Sequence, residues 1–231
     1  MMLLYQQIKQ YIATLINDRK QHVKLPSERQ LLDKFHSSRI TVREALFRLE
    51  TEGLIYRQNR KGWFVSPARL HWNPVKKVNY YQLAKEQGFE PKTQLISVKH
   101  GITEPVISQA FKETNQQNYW QIYRLRFLNE RPVMLEEIYC QQKLFPMLNE
   151  QDLTGSITTL FSQHFNITIE SEQSSIHITA LPDDKAELLN LNAGAPCLKI
   201  IRKRFCQHKT LIDYNVEYWI HGAIEIEVES H

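Results

Sequence analysis

One stretch constrains this chain more than any other: Leu25 to Val65, LPSERQLLDKFHSSRITVREALFRLETEGLIYRQNRKGWFV. Ser27 is a good N-cap, and Gln30 three residues on completes a capping box, so a helix starts after Pro26-Ser27. It carries Leu31, Leu32 and Phe35 and should end near His36. Ser37-Ser38 supply the turn and the next cap. A second helix runs from about Arg39 to Glu52. Its Val42, Ala45, Leu46 and Leu49 fall at i, i+3, i+4 and i+7, which makes one apolar stripe. Gly53 follows as a C-cap glycine should. Leu54–Arg57 and Trp63–Ser66 read as two short strands around a polar, basic loop, Gln58 to Gly62.

Helix, turn, helix and basic hairpin in this order suit a module that lays its second helix in the DNA major groove. Arg39 and Arg43 lie one turn apart on a face other than the apolar stripe, with Thr41 between them. Residues at the start of a recognition helix touch base edges, and an arginine fork matches guanine O6 and N7. The bland alternative is a solvated helix face.

PSER, SSRITVREAL, LETEGLIYR and GWFV resemble the winged helix-turn-helix of the GntR-type bacterial transcription regulators. The resemblance covers nearly all of residues 3–66, including an opening amphipathic helix with Leu4, Ile8, Ile12 and Ile16. It implies phosphate and base contacts from Arg29, Ser38, Arg39, Thr41 and Arg43, and it places Gly62 at the family's last wing glycine. Two departures stand out. NDRKQHVK replaces the usual Gly and Pro-Gly before LPSE, and Arg60 stands where the wing tip normally has glycine. Arg60 and Lys61 are therefore candidates for the wing's DNA contacts, as arginines are where the minor groove narrows.

Charge divides the chain in the same place. Residues 1–67 hold 12 Lys and Arg against 6 Asp and Glu, whereas the remainder holds 17 against 19. The positive excess sits where counterion release needs it. A length of 231 residues and 42% hydrophobic content support two cores. We expect a DNA-binding domain over 1–67, a linker over 68–79 carrying Pro74 and Trp72, and a second domain over 80–231. No apolar run is long enough to span a membrane, and the first helix does not read as a signal peptide. Cys140, Cys197 and Cys206 lack metal or redox spacing, so a reducing cytoplasm and core thiols are expected. The histidines form no metal motif, and His177 reads as a packed core residue.

From about Tyr80 the pattern is α+β with antiparallel pairing. Helices are expected at Tyr81–Gln87, Glu104–Phe111, Ile157–Phe165 and after Pro182-Asp183-Asp184. Strands are expected at Thr93–Lys99, Tyr119–Leu128, Val133–Cys140, Ile167–Thr179, Cys197–Cys206 and Leu211–Trp219, with Ala223–Val228 closing the sheet. Arg124 and Arg126 share one strand face, where an anion would relieve their repulsion. The alternative is that the face is solvated, or that Glu136 and Glu137 neutralise the pair. Ser156 and Thr158 near a helix start could add donors.

IYRLRFLNERPVMLEEIY, LLNLNAGAPCLKIIRK and LIDYNVEYW resemble the UTRA effector domain of the HutC-type GntR regulators, a fold similar to chorismate lyase. The resemblance implies a pocket beside the central sheet for a small anionic metabolite: a sugar phosphate, phosphonate or carboxylate. The matching positions are Arg124, Arg126 and Glu136, followed by Thr158, Asp213 and Trp219; Thr158 departs from the aromatic residue often found there. It also implies a cytoplasmic homodimer that binds an operator and is released by its effector, without metal, cofactor or catalytic residues. Two other readings remain: an architectural DNA-binding protein without effector, and an enzyme on the lyase-like domain.

Overall fold

The helices of the first half begin where the caps place them. The computed structural model describes residues 2–17, 23–58, 61–76, 79–112 and 118–229. Helix α1 spans Leu4–Asn17, α2 Glu28–Phe35 and α3 Arg39–Thr51. Ser27 and Gln30 form the reciprocal capping box, and α2 stops at His36, whose φ of 46° lies in the left-handed region. Ser38 caps α3 by accepting from the Thr41 amide. The stripe Val42, Ala45, Leu46 and Leu49 is fully buried against Ile8 and Ile12 of α1 and Leu31 of α2. Burying each such aliphatic side chain contributes about 1.5–3 kcal/mol. Behind α3, strands β1 (Ile55–Gln58) and β2 (Gly62–Val65) pair antiparallel and add Ile55, Trp63 and Val65 to this core. The wing-tip position Arg60 lies outside the described residues.

The segment between the halves is not a free linker. Leu70–Trp72 forms strand β3, which pairs in parallel with β10 (Ile224–Ile226). The expected closing strand therefore leaves the main sheet and fastens the linker instead. Leu70 and Trp72 are buried in the second core.

That core surrounds a six-stranded antiparallel sheet of order β4-β5-β6-β9-β8-β7. Its strands are β4 (Pro91–Ile102), β5 (Tyr119–Leu128), β6 (Arg131–Gln141), β7 (Ser171–Ala180), β8 (Pro196–Phe205) and β9 (Leu211–Ile220). Helix α4 (Tyr80–Glu86) precedes β4, and α5 (Pro105–Ala110), α6 (Ile157–Phe165) and α7 (Asp183–Ala186) lie between the strands in sequence. Side chains alternate along each strand. One face of β5 carries Trp120, Ile122, Arg124 and Arg126; the matching face of β9 carries Asp213, Asn215, Glu217 and Trp219. Hydrophobic members of this face pack under α6, with Phe145 and Phe161 stacked at 4.2 Å. His177 is exposed rather than packed, because β7 is an edge strand with its outer face uncovered. Cys140 and Cys197 are buried thiols, whereas Cys206 is only partly buried.

Candidate functional site

Two sites stand on this scaffold, joined by one hairpin. In the N-terminal unit, the start of α3 is free of the core. Arg39 is exposed, and the Ser38 and Thr41 hydroxyls lie 2.9 Å apart at the cap. Arg43 is also exposed, but its Nε donates to Glu28 Oε2 at 3.1 Å, which holds the guanidinium beside α2. Arg29 and Lys61 are exposed as well. Gly62 has φ 103°, a backbone that an L side chain rarely adopts, so glycine is required at the return of the wing. Sequence reasoning passed over Ile40, which is 80% exposed between Arg39 and Thr41. An apolar side chain at the start of a recognition helix is suited to a thymine methyl.

The second site is a cavity of about 330 Å³ on the sheet face that carries Arg124 and Glu217, between α4 and α6. Its floor is an ionic ladder. Arg124 on β5 stands opposite Glu136 on β6, which stands opposite Glu217 on β9. Glu136 Oε2 accepts from Arg124 Nε at 3.0 Å, Arg124 Nη2 at 2.6 Å and Arg126 Nε at 2.9 Å. Its Oε1 accepts from Asn215 Nδ2 at 2.8 Å. Burial raises the Glu136 carboxyl, but Arg124, Arg126 and Arg204 together outweigh it and hold the group well below the usual carboxylate range.

Arg124 is 0% exposed. Its Nη1 donates to the carbonyls of Leu153 and Gly155 at 3.0 and 2.9 Å, so it fixes the loop entering α6. Burial, and then the neighbouring Arg126, pull it down to about 10, which leaves it cationic at neutral pH. Arg126 lies 4.6 Å over the Tyr80 ring and donates to Thr93 Oγ1.

On the other side Arg202 is clamped. It donates to Glu217 at 2.9 and 3.3 Å and to Glu172 at 2.8 Å, and it lies 4.7 Å over Trp72. Arg204 is held loosely, at 3.4 Å from both oxygens of Asp213. Trp219 Nε1 donates to Glu217 at 2.8 Å.

Of the expected effector residues, the fold brings Arg124, Arg126, Glu136, Thr158 and Trp219 to the cavity wall. Asp213 is not on that wall; it is fully buried behind Arg204. The two readings of the arginine face meet here, since Glu136 neutralises part of the pair and a cavity is present as well. Sequence reasoning missed Arg202, Arg204, Glu172, Glu217, Tyr80 and Trp72. A signal existed for three of them. Arg202 and Arg204 repeat the two-residue spacing of Arg124 and Arg126, and Glu217 and Trp219 continue the Asp213-Asn215 face. Among the described residues no group of three His, Cys, Asp or Glu could hold a metal, and no helix is long and apolar enough to cross a membrane.

A winged reader joined to a sheet with a polar cavity defines a class, the two-domain transcription regulators with a ligand pocket. Comparison with known proteins narrows it. The UTRA domain model matches residues 86–225, and the model of bacterial regulatory proteins of the gntR family matches residues 4–65. The chain belongs to the UTRA-domain regulators of the GntR type, the HutC-type architecture, which bind DNA operators. It is 27% identical to the HTH-type transcriptional repressor NagR of Bacillus subtilis over 91% of this chain and 88% of that one. It is 22% identical to the mannosyl-D-glycerate transport/metabolism system repressor MngR of Escherichia coli, over 92% and 89%. The crystal structure of PhnF from Mycobacterium smegmatis has the same fold, with a TM-score of 0.68 at 20% identity over 97% of this chain and 99% of that one. NagR and MngR are both named as repressors.

Proposed function

We propose that this protein is a cytoplasmic, homodimeric repressor released from its operator by a small anionic metabolite. The observation that carries the reading is the place of the cavity. Arg124, Arg126 and Glu136 lie on the β5–β6 hairpin, and that same hairpin carries Arg131, which touches the DNA-reading half. A ligand that shifts the hairpin shifts the reader. Arg39, Ile40, Thr41 and Arg43 read bases; Arg29, Ser38, Lys61 and the Gly62 backbone meet phosphates, with Arg60 at the wing tip. Two copies would set two recognition helices on half-sites ~34 Å apart or a similar spacing. Arg126 and Thr158 face the effector's anionic group, while Arg124 on the buried floor and Asp213 behind Arg204 act as positioning residues. The names of NagR and MngR, both repressors, support repression over activation.

The test is direct. Random-sequence selection with the full chain yields an operator, and gel retardation then follows its release by phosphorylated sugars, phosphonates and carboxylates. Arg126→Ala is expected to leave operator binding intact and remove the response. An Arg126→Ala protein that still responds in full would move that residue from sensing to structure.

A further inference from the structure

The floor of the cavity is divided by charge. On the β5–β6 side, Arg124 and Arg126 share the single carboxylate Glu136, which leaves one positive charge in excess. The Ser156 and Thr158 hydroxyls stand on the same wall. On the β7–β9 side, Arg202 and Arg204 meet Glu172 and Glu217 on the wall and Asp213 buried behind Arg204, three carboxylates to two guanidiniums, which leaves one negative charge in excess. The whole is neutral, but its two ends are opposite.

We propose that the effector is a small zwitterion, an anionic group and a primary ammonium on one short skeleton, with the ammonium received by Glu172. This deepens, and rests on, the reading above that an anion enters this cavity. A dianion gains beside Arg126 and loses beside Glu172, and the neutral whole offers it no net attraction. A ligand with opposite charges at its ends meets a favourable field at both, and buried walls strengthen each interaction relative to water.

Glu172 is singled out by its unused capacity. Its Oε1 accepts from Arg202, but its Oε2 accepts no hydrogen bond from a described residue, and its side chain is 20% exposed on the cavity wall. Glu217 has no such capacity: Arg202, Asn215 and Trp219 occupy both its oxygens. Leaving the Glu172 oxygen dry and unmatched beneath a bound ligand would cost free energy, and an ammonium donor removes that cost. A neutral polyol would fill hydrogen bonds but leave the separation of charge unused.

The experiment pairs ligands that differ only by the amine. Calorimetry and thermal shift on the full chain compare O-phosphoethanolamine with ethyl phosphate, taurine with ethanesulfonate, and β-alanine with propionate. At least one amino compound is expected to bind roughly ten-fold or more tighter than its partner. Glu172→Gln is expected to bring that ratio to within about two-fold while sparing the amine-free compound. An amine-free compound that binds as well as its partner overturns the zwitterion and leaves the anion reading standing. So does binding of a phosphorylated sugar when none of the six binds. If no anion of any class binds, both readings fall. Should Glu172→Gln not fold, the wild-type ratios alone decide.

Discussion

The guanidinium of Arg131 lies 4.2 Å from the centre of the Tyr56 ring. Arg131 opens β6, the strand of Glu136, and Tyr56 lies on β1, which follows the recognition helix, so one cation–π contact bridges the two halves. The contact is dry: Arg131 is buried, and none of its guanidinium nitrogens has a hydrogen-bond partner among the described residues. Burial pulls it down to about 10, partly offset by Tyr56, and it remains a cation at neutral pH. A buried charge held by a ring alone contributes little to stability, because its desolvation opposes the attraction.

Arg131→Met keeps the volume and removes the charge. The melting temperature of the free protein is expected to stay level or rise, and the effector's hold over operator affinity to shrink. Couplings of this kind amount to roughly 1–3 kcal/mol, so the change is visible as a smaller shift in operator Kd on adding effector. An undiminished shift would show that the signal crosses elsewhere.

Glu136→Gln breaks the ladder at its centre and strands two buried guanidiniums, a loss of about 3–5 kcal/mol. Because the folded carboxyl is held below its unfolded value, its contribution is present above the unfolded pKa and is lost as pH falls through the folded one. Urea unfolding of wild type and variant across the acid range should therefore converge toward low pH. Parallel curves would sink the assignment.

Asp213 has the opposite sign. Burial raises it from 3.8 to about 6, with Arg204 pulling the other way. Its protonated form favours the fold, so that contribution is full below the unfolded pKa and disappears as pH rises through about 6. Asp213→Asn should flatten this part of the profile: the stability difference between wild type and variant should change by up to roughly 3 kcal/mol between pH 4 and 7.

At the reader, Arg39→Ala is expected to cost ~1–3 kcal/mol of specific binding and to relax sequence preference. Ile40→Ala should weaken binding chiefly on sites with thymine at one position, and substituting uracil there should abolish the difference between wild type and variant. Equal footprints for wild type and Arg39→Ala would mean that another element enters the groove.

Local rules carried the reader almost whole. Ser27 with Gln30, Ser38 with Thr41 and the stripe from Val42 to Leu49 are short-range signals, and the fold honours each. In the second half, Ile157–Phe165 is a helix as its period requires, and the β5–β6 hairpin lies where its alternation places it. What escaped was long-range. Nothing near Trp72 announces a strand, since its partner lies about 150 residues away and the pair is parallel. His177 failed for a related reason: alternation identifies a strand but does not say that it is an edge. The arginines of β8 carried a readable spacing, but only the sheet order puts them across β9 from Glu136.

The ribbon of β3 with β10 has a consequence for how the chain is made. The reader's residues are complete within the first third, and a module of that kind folds as it leaves the ribosome. The pairing on Leu70–Trp72 has no partner strand until Ile224–Ile226 have been synthesised. A nascent chain stalled before that point would carry a folded reader without its clasp, able to grip DNA while deaf to metabolites.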